Sequence, residues 1–574
     1  MVQDIYEPLN EYIHTYKARF KQIAEETFSK LASEAGVDVE SNRATCSKIY
    51  ESESELEGIR SSISWWTFLC VMLWIAVAAG IASVFLIEGI TQEIIAAVCF
   101  TVVLLVIFLF AKVHPKIRQL KERRSGIEGE IASLKAEAWE QMKALNSLYD
   151  WDILARMMSK TVPRLEFDPY FTVQRLEDLK ATYGWDDSFN ADRSVIYSHS
   201  GLINGNPFVL CRTRRMEMGV KTYHGYKTIH WTTCQVGSDG KSHTVHHSQT
   251  LHATYTAPYP EYYEKTRLIY ANTAAPDLTF HRKQSDLAGR ENSMAFKWKE
   301  RKLKRKSRNL TDNDYAMLTN EVFEVAFDTS NRNNNQQYAM LFTPVAQESM
   351  LELLRDDQVG YGDDFDFIKN RMINTIVPDH LQSLELDMNP QVYTHFDFDK
   401  AKVNFTTINA KYFRAIYFSF APLLCVPMYQ QIRPQHDIYG HDMMRDSAFW
   451  EHEALANFWG QDNFRHSSCV TDCILKTVKN KGKDSSSITV YAYGYRSEPR
   501  LTYVGMYGGD GRFHNVPVHW EEYLPVTGTG TISMREDNHK EDASVSHKDR
   551  INRINEVLNA SGMKVYRRHI ASRI

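Results

Sequence analysis

The densest group of side chains that can do chemistry lies between Gln435 and Cys473. Cys469 and Cys473 are four residues apart, so on a helix they would share one face, with His466 about one turn earlier. Thiolate and imidazole groups are preferred zinc ligands in proteins. The other polar members of the group are His436, Asp437, His441, Asp442, His452 and Glu453.

The spacing within this group departs from that of known zinc sites. Zinc knuckles use a C-x-x-C spacing, and no second cysteine pair lies nearby. His452 and Glu453 begin like the helical motif H-E-x-x-H, but Ala456 stands where the second histidine belongs. We therefore expect amphipathic packing here, with no metal and no cofactor. A metal-dependent hydrolase is the alternative, with ligands drawn from His436, His441, His466, Cys469 and Cys473.

Three further polar motifs are weaker. Four histidines alternate between the two faces of a predicted strand, so they do not converge by themselves. The G-G-D-G segment at 508–511 lacks the Lys-Ser/Thr of a phosphate-binding loop and predicts a hairpin turn, and the acidic segment 363–366 predicts a solvated face. Without a G-x-S-x-G, Walker A or dinucleotide motif we assign no catalytic residue. The four histidines are His243, His246, His247 and His252.

The composition is that of a folded protein whose bulk is soluble. Of the 574 residues, 43% are hydrophobic and 24% charged, which excludes a mostly disordered chain and a multi-span transporter. A net charge of -4 argues against nucleic acid as a partner, and eight cysteines are too few for a disulfide scaffold. At about 150 residues per domain, the length predicts three to four domains.

Two uncharged runs near the N-terminus predict a transmembrane helical hairpin. Arg60 and Glu88 bracket 27 residues without a formal charge, and Glu93 and Lys112 bracket 18 more. A span needs about 20 apolar residues. A buried helix pair in a soluble core is the alternative. The aromatic residues expected to anchor the hairpin in the bilayer are Trp65, Trp66, Trp74, Phe100 and Phe108.

The distribution of lysine and arginine predicts the orientation of the hairpin. The turn between the two runs has no basic residue, whereas Arg60 precedes the first run and a basic cluster follows the second. The positive-inside rule then places both termini in the cytoplasm, at the cell membrane. The residues expected to face anionic lipid headgroups are Lys112, Lys116, Arg118, Lys121, Arg123 and Arg124.

A heptad repeat from Ile117 to Leu148 predicts a coiled-coil stalk after the second run. Eight of its ten a and d positions are apolar, with Arg124 and Gln141 as the exceptions. The N-terminal region also predicts a helix, with apolar residues at helical spacing from Ile5 to Ile23. The apolar a and d positions form a seam that some partner must cover. The partner is the N-terminal helical region in an antiparallel stalk, a second copy of the chain in a homo-oligomer, or the next domain, and the sequence leaves these alternatives open.

The fold class expected from the sequence is α+β. An N-terminal two-span transmembrane helical hairpin with a coiled-coil stalk precedes mixed antiparallel sheet domains, and residues 190–280 predict an antiparallel sheet. The expected segments are an N-terminal cytoplasmic helical region (1–62), the hairpin (63–111), the stalk (112–150), a β-rich domain with a basic connector (151–310), an α+β domain (311–433), a C-terminal α+β region (434–533) and a polar linker with a short helix (534–574).

The basic run 297–308 has one acid among eight lysines and arginines, and predicts a solvated linker. Contact with anionic lipid or nucleic acid is its alternative. Residues 345–354 predict a helix, and the uncharged run 415–432 predicts a buried strand and loop because Pro422 and Pro427 interrupt it. The segments predicted as strands in this part are 322–327, 338–342, 392–396, 402–406 and 413–420.

The order of these features resembles the bacterial membrane proteins of the domain of unknown function 3137 family. The likeness covers about residues 60–430 and is one of pattern. It rests on the hairpin, the basic helix after it, and three segments: 205–208 (G-N-P-F), 320–328 (N-E-V-F-E-V-A-F-D) and 338–344 (Y-A-M-L-F-T-P). The resemblance implies a bacterial membrane protein with a cytoplasmic α+β domain and no known reaction, cofactor or catalytic residue. The region after Gln435 departs from the family's pattern.

These features predict a membrane-anchored, non-enzymatic protein that acts as a scaffold, sensor or interaction module. The expected partners are the lipid bilayer and a protein that the sequence does not identify. A metal-dependent membrane-bound hydrolase and an oligomeric effector that forms a pore are the alternatives.

Overall fold

The computed structural model describes residues 4–86, 92–236, 241–309, 315–434, 446–480, 486–536, 546–549, 551–552, 564–567 and 569–573. Over these ranges the chain combines helices with antiparallel strands, so the predicted α+β class is confirmed. The chain forms two compact units. The larger unit comprises Met1–Ala24, Asp150–Asn389 and Ile408–Ile574, and the smaller comprises Glu25–Tyr149 and Pro390–Thr407.

Long helices dominate the first 150 residues. Helix α3 has 48 residues and begins well before the first uncharged run, and α5 has 33 residues and follows the second run. The predicted N-terminal apolar stripe is buried at Tyr12, Tyr16 and Phe20. The elements in order are α1 (Pro8–Glu11), a π-helical turn (Tyr12–Tyr16), α2 (Lys17–Ala35), α3 (Val39–Leu86), α4 (Gln92–Phe108), a second π-helical turn (Leu109–Val113) and α5 (His114–Asn146).

The smaller unit is held together by antiparallel packing of α3 on the α4–α5 segment. Near its start, buried Asn42 joins α3 to two other parts of the unit. Its amide donates to Gln141 Oε1 at 3.1 Å and to the Phe396 carbonyl at 2.9 Å, while its oxygen accepts the Phe398 N–H at 3.0 Å. These hydrogen bonds fix the segment Pro390–Thr407 to the helix pair. None of the four residues that form them is exposed.

The larger unit contains the remaining helices and every strand within the described ranges. Its short 3-10 turns are Asp187–Asn190, Asp379–Leu381 and Gln461–Asn463, and a further one, Pro390–Tyr393, belongs to the smaller unit. The helices are α6 (Ile153–Thr161), α7 (Val173–Tyr183), α8 (Met294–Arg308), α9 (Glu321–Phe327), α10 (Asn335–Leu341), α11 (Pro344–Arg355), α12 (Phe398–Leu424, whose start lies in the smaller unit), α13 (Pro427–Gln431) and α14 (Phe449–Trp459).

Two antiparallel sheets frame the larger unit. The first has the order β1-β2-β3-β4-β7-β6-β5 and the second β11-β12-β10-β9-β8. The strands are β1 (Leu165–Phe167), β2 (Arg193–Ile203), β3 (Asn206–Val236), β4 (Ser242–Ala271), β5 (Thr279–Arg282), β6 (Phe365–Asn370), β7 (Ile373–Pro378), β8 (Ile474–Asn480), β9 (Ser486–Tyr507), β10 (Phe513–Glu536), β11 (Lys564–Tyr566) and β12 (His569–Arg573).

The main core of the larger unit joins both sheets to α14. Trp450 and Leu455 of this helix are fully buried, together with Val209 of the first sheet and Leu475 and Val490 of the second. Helix α14 is therefore covered by strands from both sheets. Amphipathic packing was predicted for this segment, with one polar side in solvent. The helix is more deeply buried than that, because its polar residues Glu451, His452 and Glu453 are buried as well.

Strands β3 and β4 extend far beyond their neighbours in the sheet. Residues 216–236 and 242–262 pair only with each other, and we call them the first ribbon. Residues 494–507 and 513–526 likewise form a second ribbon. The ribbons stack through Ile229, Leu251 and Val518. A Cβ at Gly225 would lie 2.2 Å from the Pro517 carbonyl oxygen, so this close approach requires glycine.

The predicted antiparallel region 190–280 is confirmed, and so are two hairpin turns, the one predicted at 508–511 and the one that residues 201–206 predict between two strands. Asn204 and Gly205 connect β2 to β3 with positive φ, and residues 508–511 connect β9 to β10. The helix predicted at 345–354 is confirmed as α11. Of the predicted turn between the apolar runs (87–93), residues 87–91 lie outside the described residues and Gln92 begins α4. The segment S-D-G at 238–240, which predicts a hairpin turn, also lies outside them, as does most of the predicted linker and helix after residue 536.

The five strand predictions between residues 320 and 420 were wrong, whereas the strands predicted at 501–507 and 513–520 are confirmed within β9 and β10. Segments 322–327 and 338–342 fall in α9 and α10, 402–406 and 413–420 both fall in α12, and 392–396 contains a 3-10 turn. The buried sides of these helices are rich in aromatic and β-branched residues, and that composition imitates a core strand. The run 415–432 is buried as predicted, but it is helical, with Pro422 inside α12.

Two charged segments also differ from the prediction. The basic run 297–308 is not a linker but lies within α8, because Phe296 and Leu303 give that helix an apolar side. The acidic segment 363–366 is not a solvated face. Asp363 is almost fully buried and pairs with the guanidinium of Arg282, which is itself completely buried.

Candidate functional site

Two helices of the smaller unit are long and apolar enough to cross a membrane. Their apolar side chains are largely exposed in the described structure, including Ile75 at 57% and Phe100 at 64%. Core helices of soluble proteins bury such side chains. Of the predicted anchors, Trp65, Trp74, Phe100 and Phe108 are exposed, and Trp66 is half-buried.

The inner faces of these two helices pack closely on each other. Val77 of α3 is buried against the segment that contains Leu109 and Val113. A Cβ at Gly80 would lie 2.7 Å from a methyl group of Val102, so the helices approach most closely at this glycine. Small residues at helix contacts are typical of membrane proteins, where packing replaces the hydrophobic effect. The pair thus has one apolar face that contacts protein and another that contacts no described residue.

The six predicted lipid-facing basic residues follow the second apolar run on exposed positions of the π-helical turn and α5. Three of them form ion pairs, Arg118 with Glu122, Arg123 with Glu55 and Arg124 with Glu128. The other three have no ion pair within the described part of the chain and can contact anions. They are Lys112, Lys116 and Lys121.

The apolar seam of α5 contacts α3 of the same chain. Ile127 and Ile131 pack on Leu56 and Ile59, and further along Ala138 packs on Ile49. Ion pairs flank the seam, with Lys135 Nζ 2.6 Å from Glu53 Oε1 and an arginine of α3, Arg60, 3.1 Å from Glu128. The residues at these a and d positions are therefore covered without a second copy of the chain.

The structure brings Cys469 and Cys473 together but not by the predicted helix. They lie in the segment between the 3-10 turn Gln461–Asn463 and β8, with their sulfur atoms 3.6 Å apart. His466 instead contacts Ser468 through Nδ1 at 2.7 Å. His436 and His441 lie outside the described residues. Within the described ranges, no three histidine, cysteine or acidic side chains converge as a metal site would require.

The outward face of the first ribbon presents a histidine pair that the sequence pattern does not reveal. His224 Nδ1 and His252 Nε2 are 2.9 Å apart across the strands, and Tyr226 stacks on His252. Of the predicted histidines, His246 lies on this same face at another register, while His247 lies on the opposite face against Trp231. The four predicted histidines do not converge on one point.

Helix α14 carries three consecutive buried polar residues, Glu451, His452 and Glu453. Glu451 accepts the Phe171 N–H at 2.8 Å and lies 3.4 Å from the buried Arg567 guanidinium. Burial raises the pKa of Glu451, and it raises the pKa of Glu453 to about 7 in spite of a nearby lysine. Burial also lowers the pKa of His452 to about 4, which keeps its imidazole neutral.

The partners of this polar centre come from both sheets. Glu453 accepts the Val195 N–H at 2.9 Å and pairs with Lys476 Nζ at 3.1 Å, so one carboxylate joins β2 to β8. All three α14 side chains are at most 2% exposed, and a substrate in solvent cannot reach them. The arrangement fixes the helix between the sheets. The signal in the sequence is the run E-H-E inside an otherwise aromatic helix.

A second buried ionisable group that sequence reasoning missed is Lys369 on β6. Its ammonium donates to the Ala274 and Arg371 carbonyls at 3.0 and 2.7 Å and lies 3.4 Å from Asn374 Oδ1. No carboxylate contacts it in the described structure, and burial lowers its pKa to about 7. The local sequence around Lys369 gives no indication of such burial.

We expect Lys369→Met to remove a pH dependence of stability. The lysine has an ordinary pKa of 10.5 and a folded pKa of about 7, so the unfolded chain binds the proton more strongly. The contribution of Lys369 to the free energy of unfolding is therefore least favourable below pH 7, and it becomes more favourable as the pH rises from 7 to 10.5. Between pH 7.5 and 9.5, wild type should gain about 2–3 kcal/mol relative to the variant. Urea unfolding in detergent at both pH values measures this, and an unchanged difference would contradict it.

Comparison with known proteins adds no assignment. The chain matches no protein-family model, no curated protein and no solved structure.

Proposed function

We propose that this chain is a non-enzymatic interaction module anchored in the bacterial inner membrane by α3 and α4. The observation that carries the proposal is the exposed apolar surface of the two helices, formed by residues such as Phe68, Ile75, Phe100 and Ile107. Exposing such a surface to water is costly, and monomeric soluble proteins rarely do so over a large area. A bilayer would cover it at no such cost.

The proposal includes an orientation. Arg60 and the exposed lysines Lys112, Lys116 and Lys121 flank the apolar segments on one side, and the short joining segment has no lysine or arginine. This asymmetry supports a cytoplasmic location of both termini. The contacts between α3 and the apolar seam of α5 support an antiparallel coiled-coil stalk, and they favour it over the alternative of a homo-oligomer formed through that seam.

The outward face of the second ribbon supports an interaction role. This face carries four exposed apolar or aromatic side chains, at positions that alternate along the strands with residues facing the first ribbon. They are Leu501, Tyr503, Tyr507 and Phe513, and Phe513 is 78% exposed. Neighbouring exposed aromatic side chains are typical of surfaces that bind another protein. We propose that a protein partner with a complementary apolar surface binds this face.

The resemblance to the domain of unknown function 3137 family is consistent with this proposal, since that family implies no reaction. The two alternatives have less support. The metal-dependent hydrolase has no convergent ligand set among the residues that the structure describes, and stoichiometric zinc lost on Cys469→Ser and Cys473→Ser would favour it. The oligomeric pore would require ion flux from reconstituted protein.

A photocrosslinking amino acid in place of Tyr503 tests the interaction role in native membranes. We expect a discrete crosslinked protein, identified by mass spectrometry, from Tyr503 and not from Thr222. Thr222 is the matched control because it lies exposed on the outward face of the first ribbon, outside the aromatic surface of the second. Equal crosslinking from both positions, or none from Tyr503, would contradict a partner at this face.

A further inference from the structure

Helix α8 has one side that is fixed to the larger unit. Ser293 caps it by accepting the Phe296 N–H at 3.1 Å. Phe296 and Leu303 are buried against Tyr315 and Val325. Three of its lysines are also used internally, since Lys299 pairs with Asp328, Lys304 pairs with Glu300 and Glu321, and Lys306 donates to the Ser330 carbonyl. These contacts hold the helix in a defined rotation about its axis.

The opposite side of α8 is strongly basic. Five exposed residues of this side form no ion pair within the part of the chain that the structure describes. At about 100° per residue they fall within an arc of about 140°, opposite the arc of Phe296 and Leu303. The arc contains no acidic residue, so its charge is not neutralised locally. The five are Lys297, Arg301, Lys302, Arg305 and Arg308.

The same arc exposes two large apolar side chains. Met294 is 88% exposed and Trp298 is 64% exposed, with the Lys302 ammonium 5.4 Å from the Trp298 ring centre. A tryptophan among lysines and arginines is typical of helices that lie at the membrane interface, where the indole ring sits at the level of the headgroups. A solvated linker or a purely phosphate-binding surface has no use for exposed apolar groups.

We propose that the exposed arc of α8 binds the surface of an anionic lipid bilayer. The lysines and arginines contact the headgroup phosphates, and Met294 and Trp298 enter the interfacial layer. Charge complementarity selects anionic over neutral lipid, and the apolar pair selects a bilayer over nucleic acid. This site is separate from the apolar helices α3 and α4, and the two proposals are tested by different readouts.

The test uses the full chain in nanodiscs of neutral phosphatidylcholine, mixed with separate vesicles. Met294→Cys carries an environment-sensitive fluorophore, after Cys99→Ser and Cys234→Ser remove the exposed native thiols. We expect the emission to shift to shorter wavelength with vesicles containing 30% phosphatidylglycerol, and not with phosphatidylcholine alone. Raising the salt concentration should reverse the shift because it screens the charges.

Charge reversal provides the decisive variant. Arg301→Glu/Lys302→Glu/Arg305→Glu changes only exposed residues, and we expect about tenfold or greater loss of vesicle binding. A fluorophore at Met340→Cys, exposed on α10, is the matched control and should not respond. Equal emission with both vesicle types, or binding that survives charge reversal, would overturn the proposal. A response to duplex DNA but not to anionic vesicles would also overturn it. Failure to enter nanodiscs would count against the transmembrane proposal alone.

Discussion

Replacing Arg332 with leucine is expected to destabilise the larger unit by about 3–5 kcal/mol. Arg332 and Glu324 are both fully buried, with Nη2 and Oε1 2.8 Å apart, and Arg332 Nη1 also donates to Glu324 Oε2 at 2.9 Å. The guanidinium lies 3.9 Å from the ring centre of Tyr338. Its removal leaves a buried carboxylate without its cation, although Tyr315 still donates to that carboxylate.

Urea unfolding followed by tryptophan fluorescence measures this loss. The matched control is Arg355→Leu, because Arg355 pairs with Glu291 at a partly exposed site where an ion pair contributes at most about 1 kcal/mol. The double variant Glu324→Gln/Arg332→Leu should recover part of the stability, since glutamine removes the unpaired charge. Arg332 connects α9, through Glu324, with α10, through Tyr338. Equal losses of unfolding free energy in Arg332→Leu and Arg355→Leu would show that this buried pair does not stabilise the two helices.

Ile75→Arg and Ile107→Arg are expected to impair membrane insertion, each by about 2.5–3.5 kcal/mol. Both isoleucines are more than half exposed in the structure. In a soluble protein, arginine at an exposed position would be tolerated or would improve solubility. In a bilayer the same change places a charge in hydrocarbon, so the direction of the effect separates the two environments.

The fraction of protein that resists alkaline carbonate extraction measures insertion. Val220→Arg is the matched control, because Val220 is 67% exposed on the first ribbon and should be unaffected. We expect the double variant Ile75→Arg/Ile107→Arg to leave the membrane fraction almost completely. Unchanged extraction of the double variant would show that these side chains do not face lipid.

The features that were correctly predicted are those that local sequence determines. Two uncharged runs of sufficient length predict apolar helices whatever surrounds them, and alternating residues with Asn-Gly between them predict the β2–β3 hairpin. The length of the ribbons was not predicted. Their outward faces carry threonine, histidine and tyrosine, and the stacking that stabilises the inner faces joins residues such as Ile229 and Val518 that are far apart in sequence.

Segments α9, α10 and α12 were wrongly predicted because composition outweighed capping signals. Asn320 and Asn334 each accept a backbone N–H three residues later, and Asp397 does the same for Lys400 at 3.0 Å. Such residues mark helix starts. As N-caps, these three residues indicate that helices follow them. The aromatic and β-branched residues of the same segments favour strands, and the prediction followed that composition. Burial by the rest of the unit explains that content.

The buried ionic groups could not be predicted from one sequence. Glu453, Lys369 and Arg332 look like ordinary surface residues until the fold places them, because the contacts that bury them reach up to 263 residues along the sequence. The basic arc of α8 was visible as a charge run, but only Phe296 and Leu303 show which side of the helix remains exposed. The transmembrane helices differ from these groups, because the length of the two uncharged runs indicates them from the sequence alone.

Labelling with a membrane-impermeant maleimide in bacterial spheroplasts tests the central proposal most directly. Glu88→Cys, between the two apolar runs, and Lys121→Cys, after the second run, are introduced separately into a chain in which Cys99→Ser and Cys234→Ser remove the exposed native thiols. We expect the Glu88→Cys variant to react in intact spheroplasts and the Lys121→Cys variant to react only after lysis. Equal reaction of both variants, or reaction of Lys121→Cys alone in intact spheroplasts, would contradict a two-span anchor with both termini in the cytoplasm.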